Sequence, residues 1–382
     1  MVSNPFLGLI FHWLGGLASA SFYIPYRGVK NWAWETYWLA GGFFSWIIAP
    51  SLLALFMTND LLSVLSEATT STLFWTYFFG VLWGLGGLTF GLTMRYLGLS
   101  LGMAAVLGFC AAFGTLMPPI FNGEFLSKVL GTSSGIIILS GVIVCLGGIA
   151  VSGMAGMTKE KEMSEEQKRA VIKEFNFKKG ILVAIFSGVM SACFSYGLAA
   201  GEPIKALSLK HGTAPLWQGL PVLVVILLGG FTTNFIWCLI LNFRNRTGGQ
   251  YFSSQIQGAA SGPVLETAVD APGEEMARQA NLSLSEPDRV PLGLNYLLCA
   301  LAGTMWYFQF FFYTMGESQM GQYKFSSWTL HMASIIIFSS MWGIILKEWK
   351  GASVKAMTYL FLSLAVLVGS TIIIGYGNYL TR

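Results

Sequence analysis

The chain has 382 residues, of which 54% are apolar and only 10% charged, against about a quarter charged in a soluble domain. That stock cannot cover a water-exposed surface, and a net charge of +4 with no basic stripe gives nucleic acid no footprint. The apolar runs are continuous and long enough to cross a bilayer as helices, which excludes a barrel of short alternating strands.

Breaks between these runs predict ten transmembrane helices, at 5–26, 35–57, 73–94, 97–117, 132–154, 180–200, 214–242, 292–315, 324–346 and 354–378. No Lys or Arg precedes Arg27, so the basic start of a cleaved signal peptide is missing and the first helix is expected to be retained. Residues 155–179 alternate charge signs and read as a solvated linker. Residues 243–291 are rich in Ser, Pro and acids, the composition of a disordered loop. Of the 22 Lys and Arg, 17 fall on the side that holds both long segments. The positive-inside rule puts that side in the cytoplasm and both termini outside.

The linker leaves five helices in each half, 1–154 and 180–382. An odd number per half makes any structural repeat an inverted one, as in many transporters. The sequence carries a trace of it. Gly8-Leu-Ile…Gly16-Leu-Ala-Ser19-Ala20-Ser-Phe22 parallels Gly180-Ile-Leu…Gly188-Val-Met-Ser191-Ala192-Cys-Phe194 at constant offset, and Gly80-x-x-Trp83 parallels Gly303-x-x-Trp306.

Polar groups inside a membrane are costly and few, so each is a candidate. His12 and His331 lie within helices 1 and 9 and titrate near neutral pH. Each reads either as a hydrogen-bonded structural group or as a proton or sugar site. In helix 8, Trp306, Gln309 and Tyr313 share a face and frame one amide with two aromatic rings. That set suits a neutral polyol, whose C–H faces stack on aromatics while its hydroxyls pair with the amide.

Glu35 opens helix 2 among tryptophans, near Arg27 and Lys30. It reads as an interfacial anchor paired with one of those bases, or as a proton-coupling carboxylate. Glu202, Glu317 and Glu348 lie near helix ends, with Lys347-Glu348-Trp349 reading as an interface anchor. Arg95 falls at a short turn between helices 3 and 4. The five cysteines fall in apolar runs as small packing residues, with neither disulfide nor metal spacing. No Walker motif is present for ATP, no hydrolase or protease motif for catalysis, and no embedded Lys/Arg cluster for a phosphate.

Several segments together resemble the L-rhamnose–proton symporter family of the drug/metabolite transporter superfamily. They are Ser19-Ala-Ser-Phe-Tyr23, Trp34-Glu35-Thr, Gly91-Leu-Thr-Met-Arg-Tyr-Leu-Gly98, Glu174-Phe-Asn-x-Lys-Lys-Gly180, Trp306-Tyr-x-Gln-Phe-Phe-Phe-Tyr313, Ser327-Trp-x-Leu-His-Met332 and Leu346-Lys-Glu-Trp349. The resemblance implies an inner-membrane carrier of L-rhamnose, with L-lyxose as a second sugar, and a proton as coupling ion. It also implies a ten-helix fold of two inverted five-helix repeats and no cofactor. Residues 243–291 and Gly201-Glu202-Pro203 depart from the family's pattern. On this reading His12, Trp13, Tyr23, Trp83, Trp306, Gln309, Tyr313 and His331 are expected to bind sugar. His331, His12 or Glu35 would carry the proton, and the Phe310–Phe312 run would receive the sugar's methyl group. A metabolite or drug exporter on the same fold and a non-transporting sugar sensor are the competing expectations.

Overall fold

A computed structural model describes residues 4–162, 176–255 and 289–380. Among them are ten helices long and apolar enough to cross a bilayer. They are α1 (Pro5–Tyr26), α2 (Trp34–Met57), α3 (Thr70–Met94), α4 (Leu101–Phe121), α5 (Ser133–Lys161), α6 (Phe177–Lys210), α7 (Pro215–Asn245), α8 (Leu292–Ser318), α9 (Ser326–Ile345) and α10 (Val354–Tyr379). Polar caps fix where several begin. The side chains of Asn4, Thr69, Thr132, Asn176 and Ser353 each accept a backbone N–H from the first turn that follows. Gly98, at φ +82°, makes the left-handed break between α3 and α4.

Four boundaries differ from the sequence reading. Helix α4 runs on to Phe121 through Pro118 and Pro119; the Gly114 carbonyl that Pro118 frees accepts from the Ser195 hydroxyl of α6 at 2.9 Å instead. Helix α5 continues to Lys161, so the charged linker begins as helix. Helix α6 pauses at Gly201 and restarts at Glu202, with Pro203 in the first turn. The segment expected to be disordered from 243 opens in order: α7 ends at Asn245 and a short turn, Gly248–Tyr251, packs on the start of α2. Residues 256–288, with the Asn281-Leu282-Ser283 sequon, lie outside the described residues. So does the side chain of Arg95.

The packing order crosses the chain's midpoint. Helix α1 lies on α8 and α9, whereas α6 lies on α3 and α4; α2 packs on α8, α7 on α3, and α5 on α10. Lipid offers no hydrophobic force between helices, so close approach of small residues holds them. Gly16 sits on Ser334, Gly41 on the backbone opposite Gly303, and Gly80 on the backbone of Ile226 and Gly229. A Gly303→Ala change would drive a methyl into the Gly41 carbonyl, whereas nothing lies within 4 Å of a methyl built at Gly147. Gly303→Ala is therefore expected to destabilise the detergent-solubilised protein by about 1–3 kcal/mol, with Gly147→Ala neutral or slightly stabilising. Thermal unfolding of the two variants side by side checks this.

The two ends of the bundle are tied differently. At the N-terminal face, the Asn4 backbone N–H donates to Gln319 Oε1, joining the start of α1 to the end of α8. At the opposite face, Arg27 after α1 pairs with Glu348 after α9 at 3.2 Å.

Candidate functional site

Helix α8 carries the centre of the molecule because three of its residues, over two turns, meet different helices. Near its C-terminal end, the Tyr313 ring stands edge-on to His12 of α1 and to His331 of α9, each at 5.3 Å between centroids. The two imidazoles are 6.4 Å apart. Both are fully buried, and none of their four ring nitrogens has a hydrogen-bond partner among the described residues. Two glycines make room for them: Gly316 faces His12, and Gly15 faces His331. Ser334 holds the backbones together, its hydroxyl within donating distance of the His12 carbonyl at 2.9 Å and the His331 carbonyl at 2.7 Å.

One turn further along α8, Gln309 is buried with its Nε2 unpartnered. Beside it, Phe310 touches Phe194 at 4.4 Å, Trp83 at 5.3 Å and Trp306 at 6.0 Å. Trp306, about 10 Å from Tyr313 along the axis, meets Phe22 at 4.2 Å. There a small, partly open cavity of about 10 Å³, room for one water, is lined by Phe22, Tyr26, Trp38, Ser45, Trp46 and Trp306 with Gly41, Gly42 and Gly303. Buried polar atoms in native structures nearly always have partners. The ring nitrogens of His12 and His331, Gln309 Nε2 and Trp306 Nε1 are among the exceptions, as are Trp13 Nε1, Ser45 Oγ, Trp46 Nε1 and Tyr307 Oη nearby in the chain.

The structure thus brings His12, His331 and Tyr313 together; Gln309 lies one turn and Trp306 two turns away along α8, and Trp83 reaches that helix at Phe310. Tyr23 lies next to Phe22 and Tyr26, toward the opposite face. Trp13 does not join the group; its ring packs on Phe338. Glu35 stands apart from the histidines, and its expected partnership with Arg27 or Lys30 is replaced. Its Oε1 accepts from Thr247 at 2.7 Å and from Asn245 at 3.0 Å, while Arg27 reaches Glu348. Burial raises the Glu348 carboxyl above the usual range, opposed by Arg27 and Lys159. Burial likewise pushes up the phenol of Tyr251, which sits by Glu35 and keeps its proton there. Of the predicted methyl-receiving run, Phe310 is central, while Phe311 and Phe312 stack on Trp217 and Phe11.

Sequence reasoning missed Trp38, Ser45 and Trp46. They come into register through a π-helical stretch, Phe43–Ile48, in α2. Such segments change the helix phase and favour functional sites. The five cysteines are free and buried, as expected of packing residues.

Ten spanning helices around this buried polar and aromatic row define a multi-pass integral membrane protein. The model of the L-rhamnose-proton symport protein (RhaT) family matches residues 1–249 and 271–379, so the chain belongs to that family. Among its relatives are the L-rhamnose-proton symporters of Salmonella gallinarum, Shigella boydii serotype 18 and Escherichia coli SMS-3-5. Each is 35% identical over 372 residues, covering 97% of this chain and 97% of the relative. The family match is interrupted only within the acidic loop.

Proposed function

We propose that this chain is a carrier, not an enzyme, that imports L-rhamnose with a proton across the bacterial inner membrane by alternating access. The observation that carries this is the row of buried polar atoms without a partner among the described residues on α1, α8 and α9, in a chain of which 97% aligns with symporters of that sugar. A neutral deoxyhexose asks for what the row offers: an amide, two imidazoles, indole N–H groups and aromatic faces, with no charge clamp.

The two halves act as inverted repeats. In support, α1 on α8 and α9 is the counterpart of α6 on α3 and α4. The aligned motifs also make the same contact twice, Phe22 with Trp306 and Phe194 with Trp83. Both pairs meet at Phe310. With the termini outside, His12 and His331 lie toward the periplasm, and Glu35 toward the cytoplasm. His12 and His331, their rings 6.4 Å apart, stand on the entry side for the proton. Glu35, one turn before the cavity wall at Trp38, stands on the release side. One charge crossing 100 mV is worth about 2.3 kcal/mol, enough for about 40-fold accumulation. The cavity's room for one water means that a hexose enters as the halves separate.

Proteoliposomes with an imposed inward proton gradient test the proposal. Labelled L-rhamnose should accumulate, a protonophore should abolish the accumulation, and excess unlabelled sugar should compete. Folded protein that gives no uptake, or that extrudes sugar under the same gradient, overturns it.

A further inference from the structure

At the N-terminal face, just beyond the histidines, four charges from three segments form a network that the sugar and proton sites above do not include. Lys205 of α6 is only 3% exposed and donates to Glu317 of α8 at 2.6 Å and to Glu202 at 2.9 Å. Lys324, in the connection between α8 and α9, reaches Glu202 at 3.3 Å. A lysine buried at the end of a membrane helix is costly, and its usual reading is function. Its placement is specific. Glu317 follows Gly316, whose bare Cα faces the His12 ring. It also lies one turn beyond Tyr313, which touches both imidazoles.

We propose, on the reading of this chain as a proton–sugar symporter, that Glu317 is a further proton-coupling residue and that its pair with Lys205 is the outer gate. A proton arriving from outside binds Glu317 Oε2 and cancels the charge that holds Lys205. Lys205 stays with Glu202, already in reach. The tie between α6 and α8 is then gone, and the face above His12 and His331 opens to sugar. The proton returns to water on the inner side after reorientation, and the pair re-forms. The titratable groups around Glu317 among the described residues are Lys205 and Glu202 from α6, Lys324 from the α8–α9 connection, Tyr313 on its own helix and His12 on α1. Glu317 is the acid held to α6 by Lys205 alone.

The test uses the full chain in proteoliposomes and compares gradient-driven accumulation with counterflow, which exchanges sugar without net proton movement. For Glu317→Gln, counterflow should stay close to wild type. Accumulation at 100 mV should fall from about 40-fold to about 1, and uptake should lose its dependence on external pH. If this variant does not insert, Lys205→Met/Glu317→Gln removes both charges together and should give the same split. Wild-type accumulation and pH dependence retained in whichever variant inserts would overturn the gate while leaving symport standing. Wild-type protein that takes up no L-rhamnose would overturn symport, and this inference with it.

Discussion

Gln309→Ala is expected to raise the L-rhamnose concentration for half-maximal uptake by about 10- to 100-fold while leaving the protein as stable as wild type. The two halves of that expectation have one cause. Gln309 is buried, and its Nε2 has no hydrogen-bond partner among the described residues. Truncating it therefore removes no intramolecular hydrogen bond from that nitrogen, and it takes away a buried polar atom that costs free energy while unpaired. A sugar hydroxyl that pairs with this amide loses about 1–3 kcal/mol when it is gone, which is the stated factor at about 1.4 kcal/mol per decade. A purely structural amide would give the reverse pattern, with stability falling and affinity for sugar unchanged in the surviving protein. Uptake curves alongside thermal unfolding in detergent separate the two. Unchanged uptake would place the sugar away from the α8 row.

Much of this architecture was legible because membrane insertion writes it into composition. Each helix is an uninterrupted apolar run long enough to cross a bilayer. The internal similarity was informative beyond its length. Phe22 and Phe194 occupy equivalent places in two short motifs, Trp83 and Trp306 in two others, and the structure joins each phenylalanine to a tryptophan of the opposite half. His12 and His331 could be singled out because a titratable group in a membrane helix is rare, and Tyr313 because it shares a helix face with Trp306 and Gln309; the structure brings the three rings together. What could not be read was phase and partnership. The π-helical stretch in α2 lies between Trp38 and Trp46, whose rings are 6.0 Å apart, where eight residues of regular α-helix would offset them by about 80° around the axis. Glu35 was placed near two bases by sequence distance, but Thr247 and Asn245 reach it from the end of α7. No local pattern announces a contact between residues so far apart in the chain.

Lys205 was hidden for a different reason. Gly201 and Pro203 look like the end of a helix, which would leave Lys205 as one more solvated loop charge. Proline is equally at home in the first turn of a new helix, and α6 resumes there and buries the lysine. The consequence is a large effect on stability. Lys205→Met should destabilise the protein by about 3–5 kcal/mol, because it strands Glu317, 12% exposed, without its cation. Glu317→Gln should cost less, since Lys205 keeps Glu202 at 2.9 Å. Lys205→Met/Glu317→Gln should recover most of the loss, because replacing both members of a buried pair leaves no uncompensated charge. Thermal unfolding of the four proteins, followed by tryptophan fluorescence, forms a double-mutant cycle with a strong coupling term. Additive single effects would mean that the lysine and the acid do not hold each other in the membrane, and that the ends of α6 and α8 are kept together by apolar packing.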